Sequence, residues 1–171
     1  MIYTSSKTYG HAEGLSCAFR QWRANHSHCR FLHGYAIAVH LQFASKQLDL
    51  CNWCYDFGGL KDVRKWLHEM YDHTTLIAAD DPLLAEFERL DRVGAIKLRV
   101  VEHVGCEATA RLIYEHVGAL VAERTSGRVW LQYTEVREHD GNGATYGFPA
   151  DGMPFEPATS AAVSLDALPA A

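Results

Sequence analysis

The chain has 171 residues, of which 48% are hydrophobic and 22% are charged, and its formal net charge is −5. This composition is typical of one globular domain and excludes a fully disordered chain. The acidic balance argues against nucleic acid or an anionic membrane as the main partner. No apolar run approaches the roughly 20 residues of a membrane span.

The cysteines and the start of the chain predict a reducing compartment. Five cysteines are an odd number and are scattered along the sequence, unlike a disulfide framework. The first eleven residues lack the apolar stretch of a signal peptide. We therefore expect a soluble, cytoplasmic protein.

Hydrophobic periodicity predicts six elements in chain order. Alternating residues indicate strands over 11–19 and 35–43, and a helical stripe begins at Asp56, which stands where an N-cap belongs. A second helix is predicted over 107–124, and two further strands over 128–136 and up to 146. This ββααββ order predicts an α+β domain with an antiparallel sheet and two helices on one face. Because its sheet edges would be exposed, we expect the chain to oligomerise.

The predicted domain occupies residues 1–148, and residues 149–171 are predicted to be a C-terminal tail. The tail is rich in Ala and Pro, and four of the five prolines of the chain follow residue 148. It shows neither helical nor strand periodicity, which is typical of a segment that lies on a surface or stays mobile.

The densest group of reactive side chains is the segment 26–35, HSHCRFLHGY, which leads into the second predicted strand. Imidazole and thiolate are preferred zinc ligands, so this segment is a candidate metal site. On spacing alone, the commoner alternative is a polar loop that carries surface histidines. Cys29 is also a candidate reactive thiol, because neighbouring His and Arg side chains stabilise a thiolate.

Two acidic positions have competing interpretations. Asp72 and His73 follow the first predicted helix, where the carboxylate is able to orient a proton-transferring imidazole. When these two residues are considered alone, a solvated helix terminus is the preferred interpretation. Glu138 ends a predicted strand, where a carboxylate is able to accept two parallel N–H donors from an amidine-like ligand. The commoner alternative is a charge at a solvated strand end.

Taken together, these residues resemble the 6-pyruvoyl-tetrahydropterin synthase / 6-carboxytetrahydropterin synthase family, a branch of the T-fold. The resemblance covers nearly all of residues 7–148 in the family's order. It rests on these segments: Cys17-Ala18-Phe19, Cys29 with His33-Gly34-Tyr35, Asp56-Phe57-Gly58-Gly59-Leu60-Lys61, Tyr71-Asp72-His73, Gly105-Cys106-Glu107 and Glu138.

The resemblance implies a T-fold subunit that assembles into a barrel, typically a homo-hexamer of two trimers, with active sites between subunits. Cys29 matches the catalytic cysteine that moves protons on the substrate side chain, and Asp72 and His73 match the proton-relay pair. Glu138 matches the glutamate that anchors the pterin. Substrate contacts are also expected from three further positions, namely Tyr35, Cys106 and Glu107.

The zinc site of the family is degenerate in this chain. The family binds zinc through three histidines, and Phe19 and Tyr35 stand at two of those positions, so that His33 is the one family ligand present. Phenylalanine cannot bind a metal, and three protein ligands are normal at catalytic zinc sites. Two replacements are open: His28 or Cys17 rebuilds a metal site with His33, or the Tyr35 hydroxyl polarises substrate oxygen in place of the metal.

These features predict a divergent 6-carboxytetrahydropterin synthase-like lyase that acts on 7,8-dihydroneopterin triphosphate or a related dihydropterin, in queuosine-type 7-deazapurine or pterin biosynthesis. One alternative is a zinc-free T-fold enzyme with aldolase or epimerase chemistry on a dihydropterin side chain. The other is a non-catalytic module that binds a pterin or purine.

Overall fold

The computed structural model describes residues 1–147, so the predicted tail, 149–171, lies outside the described residues. Within residues 1–147, seven strands and three α-helices follow one another. The strands are β1 (Tyr3–Tyr9), β2 (Leu15–Phe19), β3 (His33–Ser45), β4 (Thr74–Ala78), β5 (Leu98–Val101), β6 (Val129–His139) and β7 (Asn142–Gly147). The helices are α1 (Lys61–Tyr71), α2 (Leu84–Arg92) and α3 (Cys106–Arg124), and short 3₁₀ turns precede β2, β3 and α1.

The long strand β3 organises the sheet, whose order is β5-β4-β2-β3-β6-β7 with β1 paired to β3. β1 and β2 lie one after the other along the same side of β3, since Tyr3 is opposite Ser45 and Phe19 is opposite His33. β6 pairs antiparallel with the other side of β3. This arrangement places the end of β2, the start of β3 and the end of β6 close together.

The structure corrects the predicted sheet in two respects. The sheet is mixed rather than antiparallel, because β4 pairs parallel with both β2 and β5. A third helix, α2, lies between β4 and β5 in the chain. The predicted first strand over 11–19 begins only at Leu15, because Gly14 has a left-handed φ of 83° and closes a 3₁₀ turn over His11–Glu13. The turn separates β2 from β1, which precedes it in the chain and also pairs with β3.

The core lies between the helices and one face of the sheet. Alternate residues of β3 supply its centre and are at most 2% exposed: Ile37, Val39, Leu41 and Phe43. α3 packs against β6 and β7, and α1 packs against β2. Burial of such a stripe is the main driving force for folding and fixes which strand residues face the helices. Among residues 1–147, no helix is long and apolar enough to cross a membrane.

Candidate active site

Cys29 lies in a short 3₁₀ turn between β2 and β3. The turn over His28–Arg30 is capped by Ser27, whose hydroxyl accepts a hydrogen bond from the Cys29 backbone N–H at 3.2 Å. The Cys29 carbonyl accepts a second bond from the N–H of Gln21 at 2.8 Å. These bonds fix the backbone on both sides of the thiol, which is half-buried. Cys29 is therefore a positioned side chain with access from solvent.

Tyr35 is the side chain around which the predicted substrate-binding residues gather. It lies on β3 opposite Cys17, and three acidic or thiol groups act on its hydroxyl, namely Glu138, Cys106 and Cys29. Burial raises the pKa of Tyr35, and the negative charge of Glu138 raises it further. The phenol therefore keeps its proton at neutral pH and is available as a hydrogen-bond donor.

Cys106 is the first residue of α3 and its thiol lies against the Glu138 carboxylate. Burial raises the pKa of Cys106 to about 12, and the charge of Glu138 and a hydrogen bond to it act in the same direction. The preceding Gly105 has a φ of 107°, and a Cβ built there would lie 2.5 Å from the side-chain nitrogen of Gln21. Glycine is therefore required for α3 to begin here, which in turn brings Cys106 to Glu138.

Glu107, also predicted to contact substrate, is the second residue of α3 and is exposed. Beside this helix start lies a cavity of about 360 Å³. Its walls include Trp22 and Asp80, which are joined by a hydrogen bond of 3.1 Å from the indole Nε1 to the carboxylate. Sequence reasoning missed this cavity, because its walls come from segments far apart in the chain.

Three aromatic rings occupy the positions that the resemblance assigns to the zinc histidines of the family. Phe19, His33 and Tyr35 form a cluster with ring centroids 5.2 to 6.1 Å apart. Three imidazoles bound to one tetrahedral zinc ion at about 2.0–2.1 Å would have their ring centres roughly 5 Å apart. The backbone thus keeps the spacing of a three-histidine site, while two of the three side chains lack the imidazole donor.

Cys17 and His28 do not complete a metal site with His33 within one chain. Among residues 1–147, no group of three His, Cys, Asp or Glu side chains comes together in a way that could hold a metal ion. His28 is exposed, whereas Cys17 lies in the core, where burial raises the pKa of its thiol to about 12. His33 donates its Nδ1–H to the Phe31 carbonyl at 2.7 Å. This donor set does not fit the zinc ion of the family.

Asp72 and His73 are placed together by the end of α1. The helix ends at Tyr71, Asp72 is its C-cap, and His73 has a left-handed φ of 55° that turns the chain into β4. The carboxylate of Asp72 accepts the Nδ1–H of His73 at 2.5 Å. The His73 backbone N–H donates to the Ser16 carbonyl at 2.7 Å, which fixes the pair to β2.

Within one chain, the pair and Cys29 have different hydrogen-bond partners. The hydrogen bonds of Asp72 and His73 go to each other, to His68 and to backbone, and none in residues 1–147 reaches Cys29. The His73 side chain is 87% exposed and faces outward. The structure therefore brings together Cys29, Tyr35, Cys106 and Glu138, and it joins Asp72 to His73 with no hydrogen bond to Cys29 among residues 1–147.

A family model described as 6-pyruvoyl tetrahydropterin synthase matches residues 10–148. The chain belongs to this family. A segment of 54 residues is 37% identical to the 6-carboxy-5,6,7,8-tetrahydropterin synthase of Rickettsia felis and 35% identical to that of Rickettsia conorii. Each alignment covers 31% of this chain and 39% of the relative, so the chain matches well under half the length of these proteins.

Solved structures share the fold of this chain. An uncharacterised protein of Wolinella succinogenes superposes with a TM-score of 0.73 at 20% identity, over 86% of this chain and 98% of that one. A catalytic-residue variant of the Plasmodium vivax 6-pyruvoyltetrahydropterin synthase gives 0.60 at 15% identity, over 85% and 97% of the two chains. The prediction of a T-fold subunit is confirmed by these neighbours.

Proposed function

We propose that this 6-pyruvoyl tetrahydropterin synthase family member is a lyase of the 6-carboxytetrahydropterin synthase type that acts on 7,8-dihydroneopterin triphosphate. The observation that carries the proposal is the cluster around Tyr35, on whose hydroxyl Glu138, Cys106 and Cys29 act, with the Cys106 thiol against the Glu138 carboxylate. This cluster joins a carboxylate suited to the ring of a pterin with a thiol suited to proton transfer on its side chain. The pathway would be queuosine-type 7-deazapurine or pterin biosynthesis.

Glu138 is the proposed anchor for the pterin ring. A carboxylate accepts two parallel hydrogen bonds from the adjacent N–H groups of a guanidine-like edge. Cys106, beside it, keeps its proton and can donate or be displaced when the ring binds. A half-buried carboxylate left without donors is costly, and therefore selects ligands that offer them.

Cys29 and the Asp72–His73 pair are the proposed proton-transfer groups. The Nδ1–H of His73 is occupied by Asp72, which leaves Nε2 to exchange a proton with substrate. Because no hydrogen bond within residues 1–147 of one chain joins the pair to Cys29, we propose that a neighbouring copy completes the site, in a homo-hexamer of two trimers. The protonated Tyr35 hydroxyl would polarise the side-chain oxygen. The five free cysteines suit a reducing cytoplasm.

The replaced zinc donors favour a second candidate, a metal-free aldolase or epimerase that acts on the side chain of a non-phosphorylated dihydropterin. Incubation with 7,8-dihydroneopterin triphosphate and, separately, with 7,8-dihydroneopterin distinguishes the two by mass spectrometry. Release of triphosphate with 6-carboxy- or 6-pyruvoyl-tetrahydropterin supports the lyase. Cleaved or epimerised product from dihydroneopterin alone supports the second candidate, and binding without any product supports a non-catalytic module.

The spacing of the Phe19–His33–Tyr35 cluster makes the zinc mismatch testable. We expect the double variant Phe19→His/Tyr35→His to bind about one zinc per chain, because it restores three imidazoles at tetrahedral spacing. The measurements are zinc content by elemental analysis and the rise in melting temperature on adding zinc. The single variant Phe19→His, with two imidazoles, is the matched control and should hold zinc far more weakly. Stoichiometric zinc in the unmodified protein would contradict this interpretation.

A further inference from the structure

The Asp72–His73 pair is one end of a longer row of hydrogen-bonded side chains. The second oxygen of Asp72 faces Nδ1 of His68 at 3.4 Å, and Nε2 of His68 bonds to the carboxylate of Glu13 at 2.9 Å. His68 lies one helical turn before Asp72 on α1, and Glu13 comes from the 3₁₀ turn before β2. Four titratable groups are thus connected from Glu13, which is 18% exposed, to the exposed His73.

The two carboxylates dictate the protonation of His68. Ionised carboxylates only accept hydrogen bonds, and a neutral imidazole has a single N–H, so both contacts are satisfied only by the imidazolium. The pKa of His68 is accordingly raised, first by its hydrogen bond to Glu13 and then by that to Asp72. The pKa of Asp72 is lowered, first by His73 and then by His68. His68 therefore acts as a cation held between two anions.

The surrounding charges keep Glu13 ionised, whereas the cations among them oppose the positive charge of His68. Arg64 forms an ion pair with Glu13, and the pKa of Glu13 is lowered by His68 first and also by Arg64. The phenol of Tyr9 faces the same carboxylate. His68 and Asp72 also line a groove of about 540 Å³ on α1, whose other charged walls are Lys61, Arg64, Lys65, Glu69 and Lys97. Lys65 is offset by Glu69 at 3.6 Å.

We propose that His68 and Glu13 are positioning residues for the Asp72–His73 pair. The His68 cation, anchored by Glu13, holds one oxygen of Asp72, so that the other oxygen receives the Nδ1–H of His73 and its Nε2 stays free for substrate. This inference rests on the proposed function of the pair in proton transfer. The resemblance to the family gives Asp72 and His73 this role and says nothing of His68 or Glu13.

The charge of His68 has a second consequence, for the pH at which the pair works. The cation offsets the negative charge of Asp72 and so weakens the hold of the pair on its shared proton. In His68→Gln that offset is lost, and the pair keeps the proton to higher pH. The acid limb of kcat/KM should therefore move to higher pH.

The first test measures His68 itself and needs no turnover. In ¹⁵N-labelled protein near pH 7, we expect both ring nitrogens of His68 to be protonated. In Glu13→Gln the titration midpoint of His68 should fall, because the anchoring carboxylate is gone. A neutral His68 at this pH, or a midpoint that Glu13→Gln leaves in place, would overturn the proposal.

The second test is the pH profile of turnover in His68→Gln. We expect the acid limb to rise by about half a pH unit, which corresponds to roughly a threefold loss of kcat/KM at acidic pH. Lys65→Gln is the matched control, since it removes a cation from the same groove without touching the row. A His68→Gln profile that overlays the wild type refutes the positioning role while the lyase stands. Absence of product from every dihydropterin refutes the proposed function. The titration of His68 would still test whether Glu13 and Asp72 hold it as a cation.

Discussion

Replacing Glu138 with glutamine is expected to weaken binding of a dihydropterin by about 100-fold, or roughly 3 kcal/mol. Glutamine has nearly the same shape, but its amide offers one acceptor and one donor group in place of two acceptors. One N–H of the ligand would then meet another N–H, and the charge that strengthens both bonds would be lost. Fluorescence titration with a dihydropterin measures the change.

Glu135→Gln is the matched control for Glu138→Gln. Both residues lie on β6, but Glu135 forms an ion pair with Arg137 at 2.7 Å, whereas Glu138 lies at the irregularity of β6 opposite β7, against Cys106. We expect its affinity for a dihydropterin to equal that of the wild type. An equal loss of affinity in the two variants would show that the negative charge of β6 acts at long range and that Glu138 does not anchor the ring.

Replacing Cys29 with alanine is expected to lower kcat by about 10²- to 10⁴-fold and to leave ligand affinity nearly unchanged. This is the usual contribution of one general acid or base, and the thiol has no role in the proposed ring contacts. Cys51→Ala is the control, because Cys51 is exposed and its structural contact is made by its backbone N–H. Steady-state turnover and ligand titration measure the two quantities; unchanged turnover in Cys29→Ala would remove Cys29 from the mechanism.

The same variant tests whether sites are shared between subunits. Cys29→Ala and His73→Ala should each be inactive alone, whereas oligomers assembled from a mixture of the two should recover part of the turnover. Recovery is expected because some sites would combine an intact Cys29 from one copy with an intact His73 from another. A mixture as inactive as its components would place both groups in the same chain's site.

Elements with strong periodicity could be predicted from the sequence. β3 alternates and α1 repeats in a way that places one face in the core, and the predicted limits of β3 and α3 differ from the observed ones by a few residues. β1 was missed because most of its side chains are polar and exposed, so pairing with β3 rather than apolar patterning holds it in the sheet. β4 was missed because all five of its residues are buried and therefore show no alternation.

In the site, too, contacts between residues close in sequence could be predicted and contacts between distant residues could not. The pairing of Phe19 with His33 follows from neighbouring strands, and the Asp72–His73 contact joins adjacent residues. The Glu13–His68 contact spans 55 positions, and no local pattern marks it. The i, i+4 spacing of His68 and Asp72 on α1 was the one local indication that the relay extended further.

The central claim is that this site moves protons on the side chain of a dihydropterin. Incubating the metal-quantified protein with 7,8-dihydroneopterin triphosphate in D₂O, followed by mass spectrometry, tests it most directly. The account predicts deuterium in the product or in recovered substrate, at a rate that Cys29→Ala lowers and Cys51→Ala does not. Substrate that binds, depends on Glu138 for binding, and is recovered without deuterium would contradict it.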